Sequence, residues 1–383
     1  MKVLQILKAE SMAGAEKHVQ DIVYHMNEEG LRVGVINVVD ESKGGLTRKY
    51  EDNLRSLNRE GVNVYVKKAQ NKFDFSLVGE IRNIVRQVDP DIVHTHMPYA
   101  DLFGGIAAKL SGHAPIVSTR HHDYTTSWSD WLRFVGYYTI ANRFLDTLIA
   151  VSGQVAHQAE TYEGWPHSSV HVVHHGARDE NVCREEARKK IYTSLNIPDS
   201  SALVVSVGRL LEWKGHEHAI RALRDIRDQG TELHWLIAGE GPERESLESL
   251  IHELGVEDHI HLLGHRDDVP TLLSAADIMV HPSTAEAFGI VLIEAMMQGT
   301  PVVGTRAGAI PEIVSDGETG YLVEPANSEA ISATVCRLMQ DPEERERMGE
   351  AARHRYLRKY TLGKMAENTI NVYEKLLKNL EDI

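Results

Sequence analysis

The sequence predicts an α/β protein made of two doubly wound units in tandem. Three observations carry this. Short apolar runs bounded by turn residues alternate with amphipathic stretches, the pattern of a parallel sheet covered on both faces. The pattern runs once, fades into a charged stretch, and starts again at residue 202. The chain has 383 residues, enough for two cores at roughly 100–200 residues per domain.

In the first round the strands are VLQIL (3–7), VGVINVV (33–39), NVYV (63–66), DIVHTH (91–96), PIVST (115–119) and TLIAVS (147–152). A helix from Glu16 to about Glu29 follows the first of them. The stretch HVVHHGARDENVCREEARKK reads as the linker. The second round is ALVVSVG (202–208), LHWLIAG (233–239), HIHLLG (259–264), DIMVHP (277–282), PVVGT (301–305) and GYLV (320–323). After Pro342 the pattern is helical, charged to Tyr360 and then amphipathic through Val372, Leu376 and Leu377. The expected boundaries are 1–178, 179–360 and a last helix, 361–383, packing back on the first domain. Ligands are expected in a cleft at the carboxyl ends of both sheets.

Composition narrows the function. The net charge is −15, with 19 basic against 22 acidic residues in 1–180 and 22 against 34 in 181–383. Such a chain is a poor generic nucleic-acid binder. Two cysteines, Cys183 and Cys336, make no disulfide framework and fit a reducing cytoplasm. No apolar run approaches the ~18 residues of a membrane span. The opening residues are too short and polar for a signal peptide. The expected location is cytoplasmic, with peripheral contact at the inner membrane face left open. Lys43, Arg48, Lys49, Arg55, Arg59, Lys67, Lys68 and Lys72 face only Glu51, Asp52 and Glu60. They read as a solvated helix face or as a surface for an anionic lipid or acceptor. Trp128, Trp131, Phe134, Val135 and Tyr138 fall at helical spacing, as a core-facing helix or an apolar acceptor contact.

The block from Glu286 to Glu294 is the most informative. Glu286 falls in a loop, and Phe288 to Met297 is expected to be helical, stopped by Gly299 and Pro301. Free N–H groups at Phe288, Gly289 and Ile290 suit a phosphate or sugar oxygen. Carboxylates are natural acceptors for vicinal hydroxyls. Eight residues turn a helix about 80° beyond two turns, so both glutamates can address one ligand. Glu294 sits among apolar neighbours and needs partners. Gly208, Arg209, Lys214 and Gly215 lie between a strand and a helix, where two cations can hold a diphosphate without metal. Ala238 to Pro242 makes a further turn.

In the first unit Gly14 opens a strand-to-helix turn whose amides can face a phosphate. His94 and His96 end one strand, and His121, His122 and Asp123 follow the next. An HxH pair on a strand supplies no third ligand, so polar lining is the reading and no metal is expected. Asp89-Pro90-Asp91 reads as a turn, not a metal motif.

On AGAEKHV (13–19), SVGRLLEWKG (206–215), IAGEGPE (237–243), HLLGHRDDVPTLLSAADIMVHPS (261–283), EAFGIVLIEAMMQGTPVV (286–303) and GAIPEIVSDGETGYLV (308–323), the chain resembles the retaining glycosyltransferases of family 4, group 1. The resemblance runs over nearly the whole length. It implies the GT-B fold, two Rossmann-like domains facing a cleft, and transfer of a sugar from a nucleotide diphosphate sugar to an acceptor hydroxyl. UDP is favoured as the base and GDP next. It implies that Arg209 and Lys214 hold the diphosphate, Glu294 the ribose and Glu286 the donor sugar hydroxyls. Phe288 to Ile290 would cradle sugar and phosphate, and Gly14 would lie near the diphosphate. His122 would lie near the reaction centre, with His121 at the adjacent register. His265 and Arg266 would pack the base. It implies retention; no covalent nucleophile is nameable, so front-side attack is expected. A nucleotide sugar would be substrate, with no resident cofactor, and polysaccharide or glycolipid synthesis the setting. Departures are Ala13 for a first glycine, Ala309 after Gly308, and His175 for an asparagine. The competing readings are an epimerase-like GT-B enzyme and a non-catalytic nucleotide-sugar binder; a dehydrogenase lacks its GxGxxG turn.

Overall fold

In the computed structural model the described residues are 1–10, 14–40, 44–71, 74–112, 114–121 and 137–381. They form two compact units, Met1–Gly176 with Leu362–Ile383, and Ala177–Thr361.

The first unit holds seven parallel strands: β1 (Lys2–Lys8), β2 (Arg32–Asp40), β3 (Asn63–Ala69), β4 (Ile92–His96), β5 (Ile116–Arg120), β6 (Thr147–Ala150) and β7 (Val170–Val172). Their order is β3-β2-β1-β4-β5-β6-β7. The second holds six: β8 (Ala202–Val207), β9 (Leu233–Ala238), β10 (Ile260–Gly264), β11 (Ile278–His281), β12 (Val302–Thr305) and β13 (Gly320–Val323). Their order, β10-β9-β8-β11-β12-β13, is the doubly wound one. In both sheets the order reverses beside the first strand, between β1 and β4 and between β8 and β11. The crevice for a ligand in such a sheet opens there, at the carboxyl ends.

All twelve runs read as strands are strands. One strand escaped that reading. Val170–Val172 pairs with β6 as the seventh strand, running into the start of the stretch read as a linker. The end of that stretch is helical from Arg184. Three residues alternate too briefly for periodicity to mark them.

The helix Leu362–Glu381 belongs to the first unit. Its buried residues, Leu362, Met365, Ala366, Thr369, Val372 and Tyr373, recur at helical spacing, and all but Thr369 join the core with Val19, Ile22 and Met26 of the helix Gly14–Glu28. Tyr373 carries the one polar tip in this stripe that reaches the sheet. Its hydroxyl lies 2.6 Å from His94 Nδ1 and accepts from Gln5 Nε2 at 3.3 Å.

The interior of this unit also holds a charge. Arg120 is 1% exposed and reaches Asp101 at 2.5 Å and Glu163 at 3.0 Å. Asn142 and Ser118 accept its remaining N–H groups. The guanidinium lies 3.7 Å from the centroid of the Tyr138 ring. A buried cation persists only with such complete pairing. The Asp89–Asp91 motif is a turn: Asp89 has φ 48° after the helix Ser76–Val88, and Asp91 accepts the Lys2 N–H at 2.6 Å.

Tyr373→Phe leaves His94 and Gln5 with an unpaired buried polar atom. The urea midpoint for the first unit is expected to fall by the equivalent of about 1–3 kcal/mol. An unchanged midpoint would mean that neither atom needs the hydroxyl.

Candidate active site

The second unit brings its polar loops together at the switch point. After β8 the chain turns through Gly208 and Arg209, runs a short turn over Glu212–Lys214, and enters the helix His216–Asp228. After β11 it passes Ser283 and Glu286 before the helix Ile290–Met297. The two loops are sewn together: Thr284 N donates to Trp213 O at 2.8 Å. Gly208 N donates to Ala238 O at 3.0 Å, and Gly239 N to Gly264 O at 2.8 Å.

Two glycines are required by this packing. A Cβ on Gly239 (φ +150°) would lie 1.9 Å from Gly208 O. One on Gly308 (φ +50°) would lie 2.2 Å from Glu286 O. Ala309 N then donates to that same Glu286 carbonyl at 2.9 Å. Gly308 thus lets a neighbouring loop hold Glu286 from beneath. Beside Gly208, by contrast, there is ordinary room, filled by Lys214 and His216 at 3.7 and 3.8 Å.

Glu286 is the centre of the cluster. Its Oε2 accepts from Lys214 Nζ at 2.5 Å and from His281 Nε2 at 2.9 Å. His281 Nε2 also lies 3.1 Å from Ser283 Oγ. Burial pushes the Glu286 carboxyl up, but the Lys214 ammonium and the His281 hydrogen bond outweigh it and hold the group down at about 2. Burial lowers His281 in turn, against the pull of Glu286. The ring is neutral at pH 7 and donates one hydrogen bond. His216, 4% exposed, sits beside this cluster, and burial lowers it to about 4.

Several expectations change. The helix starts at Ile290, with Gly289 as its left-handed cap at φ 88°. Phe288 is buried in the loop, so its N–H is no part of a helix end. Glu286 lies outside the helix, so no helical rotation relates it to Glu294. Glu294 is half-buried on the helix. Lys214, expected with Arg209 at a diphosphate, also pairs with Glu286. Arg209 is exposed and has no ion pair among the described residues. His265 and Arg266 follow β10, His265 3.4 Å from Asp267 and Arg266 2.8 Å from Asp268. Sequence reasoning missed His281 and His216. His281 ends a quoted strand, but nothing in a five-residue spacing to Glu286 marks it.

In the first unit Gly14 opens the helix Gly14–Glu28. His122 and Asp123 lie outside the described residues, as do Trp128, Trp131, Phe134, Val135, Lys43 and Lys72. Tyr138 is core. Of the basic stretch, Arg55 pairs with Glu51 and Lys67 with Glu80. No helix among the described residues is long and apolar enough to cross a membrane.

The histidines do more than line a strand. His94, His96, His18 and His175 are buried, and burial holds His18 near 4 and His94 near 3 and drives His96 and His175 well down. These rings are neutral at pH 7. Of the HxH pair only His96 joins a three-histidine group, with His18 from the helix Gly14–Glu28 and His121 after β5; His94 turns to Tyr373 and Thr119 instead. His18, His96 and His121 each place a ligand atom within 4.8 Å of the others.

Residues 12–181 match Glycosyltransferase Family 4, and residues 187–355 match Glycosyl transferases group 1. The chain is similar to MMP alpha-(1->4)-mannosyltransferase of Mycolicibacterium hassiacum, 30% identical over 76% of this chain and 72% of that protein. It is similar to N-acetyl-alpha-D-glucosaminyl L-malate synthase of Bacillus anthracis, 28% identical over 80% of each. Among solved structures, a glycosyltransferase from Rickettsia africae superposes with TM-score 0.83 at 22% identity, covering 99% of both chains. Anabaena HepE in complex with UDP-glucose superposes with TM-score 0.81 at 23% identity over the whole of both chains. These likenesses carry the GT-B fold, with the doubly wound sheet order found in each unit. By its sequence matches, this chain is a glycosyltransferase and belongs to family 4, group 1.

Proposed function

We propose that the chain transfers a sugar from a nucleotide diphosphate sugar, UDP-linked first and GDP-linked next, to an acceptor hydroxyl with retention of anomeric configuration. The observation that carries this is the Lys214–Glu286 pair at the β8/β11 switch point with exposed Arg209 beside it. HepE, solved with UDP-glucose, supports the donor class.

As the glycosidic bond to the diphosphate breaks, negative charge grows on the leaving phosphate. Arg209 and Lys214 answer it electrostatically, the role a divalent metal plays elsewhere. Lys214 carries three N–H donors, so it can keep Glu286 and hold a phosphate oxygen at once. Glu286, held ionised, accepts from donor sugar hydroxyls. The amides at Gly289 and Ile290 stand at the start of the helix after Glu286 and suit phosphate or sugar oxygen. Glu294 holds the ribose, and His265 and Arg266 flank the base. Front-side attack, with the leaving phosphate oxygen taking the acceptor proton, needs no carboxylate nucleophile. The acceptor belongs to the first unit, with Gly14 near the diphosphate and His122 near the reaction centre. A sugar or lipid-linked acceptor of polysaccharide or glycolipid synthesis, met at a membrane surface through the basic stretch, fits that reading.

UDP is expected to stabilise the chain by about 2.7 kcal/mol at 100 times its Kd, with or without EDTA. A thermal-shift panel of nucleotide diphosphates measures this; silence from every nucleotide would sink the donor reading. Arg209→Ala is expected to lower kcat by about 10²–10³ with the fold kept. Normal turnover would remove Arg209 from charge stabilisation.

Glu286 also sets a pH dependence. Its folded value of about 2 lies below the ordinary 4.5, so its contribution is full above 4.5 and lost as pH falls through about 2. In Lys214→Met, burial acts with less opposition and the carboxyl rises. The stability gap between the two proteins is therefore widest near neutrality and narrows on acidification. Urea unfolding at about pH 7 and about pH 4 reads this gap; equal gaps would contradict the ion-pair account.

A further inference from the structure

We propose that His18, His96 and His121 form a binding site for one divalent transition-metal ion of the kind imidazole favours, with zinc as the probe. The three side chains come from three elements that meet at the β1/β4 switch point. His18 is on the helix after β1, His96 is the last residue of β4, and His121 follows β5. In this sheet order that is where a ligand is expected.

The geometry is that of an open three-histidine site. His96 Nδ1 and His121 Nε2 are 3.3 Å apart. Two nitrogens bound at about 2.0–2.1 Å to one tetrahedral zinc lie about 3.3–3.4 Å apart. The three ligand atoms fall within 4.8 Å of one another.

Two of the rings are already oriented through their other nitrogen. His96 Nε2 donates to Gln5 Oε1 at 2.7 Å, which leaves the Nδ1 lone pair aimed at His121. Gln5 is held in this sense by Nε2 donating to the Tyr373 hydroxyl. His18 Nδ1 shares a proton with His175 Nδ1 at 2.7 Å, and when His18 is the donor its Nε2 is left to ligate. A second nitrogen tied to a carbonyl or ring is how ligating histidines are oriented. Without an ion, an imidazole N–H closes the 3.3 Å contact. With one, His121 carries its proton on Nδ1 and Nε2 ligates.

Among the described residues the group offers three neutral ligands and no carboxylate, so the fourth position goes to water or to an anion from outside. His121 is part-exposed, while His18 and His96 are buried, which makes His121 the side of entry. The bound ion would tie the helix Gly14–Glu28 to β4 and the end of β5.

The test is cobalt and zinc binding to the untagged full chain. One equivalent of Co²⁺ is expected to bind with the visible bands of a tetrahedral site and to be displaced by Zn²⁺. His18→Gln, His96→Gln and His121→Gln are each expected to weaken binding at least tenfold, about the lower limit for loss of a ligand or its support. His121 is part-exposed, so its variant keeps the test valid if the buried ones fail to fold. His261→Gln, at the surface pair His234–His261 in the second unit, is expected to change nothing. Binding that survives His121→Gln, binding that depends on His261, or no bound cobalt would each overturn the proposal.

Discussion

Glu286 is held ionised in a part-buried loop by a lysine that comes from the loop after β8. Taking two charges out of water costs several kcal/mol per ion, and mutual attraction offsets that only with close geometry and further hydrogen bonds. Here the geometry is a 2.5 Å contact with His281 as second donor. Such a pair is weak evidence for stability, and its position at the sheet's switch point gives the better reason for keeping it. The surrounding loops are arranged around this constraint. Gly308 lets one carbonyl of Glu286 be gripped from below, and Thr284 ties its loop to Trp213. The carboxylate is thereby placed before any ligand arrives, which is what preorganised recognition requires.

The first unit solves a different problem with neutral groups. Its switch point is lined by histidines whose burial keeps them uncharged, linked through Gln5 and Tyr373 to the last helix of the chain. That helix begins just after the second unit ends, yet its apolar stripe completes the first unit's core. The tip of Tyr373 sets the amide orientation of Gln5 and the tautomer of His94, so the last helix reaches the polar lining from behind. The charged interior at Arg120 is kept apart from it, closed on Asp101 and Glu163.

Much was legible in the sequence because burial on both faces of a parallel sheet writes itself as uninterrupted apolar runs. All twelve such runs are strands, and the loops after them carry the charged residues. The amphipathic stripe through Val372 likewise marked a helix that needed a partner surface. The three-residue β7 was too short to leave a period, and its neighbours' charge disguised it. The start of the helix at Ile290 was misplaced by two residues, because the left-handed cap at Gly289 is a backbone choice set by the loop packing beneath.

By itself, then, the sequence determined the fold class, the order of the elements, the loops that bear Arg209, Lys214 and Glu286 and the helix that bears Glu294, since these follow from local periodicity and residue chemistry. Only the tertiary structure decided who touches whom. That Lys214 pairs with Glu286, that His281 donates to the same oxygen, and that His18 joins His96 and His121 are contacts between residues far apart in the chain or masked by a short spacing. Parallel sheet order brings their strands side by side, and no periodicity along one chain encodes that neighbourhood.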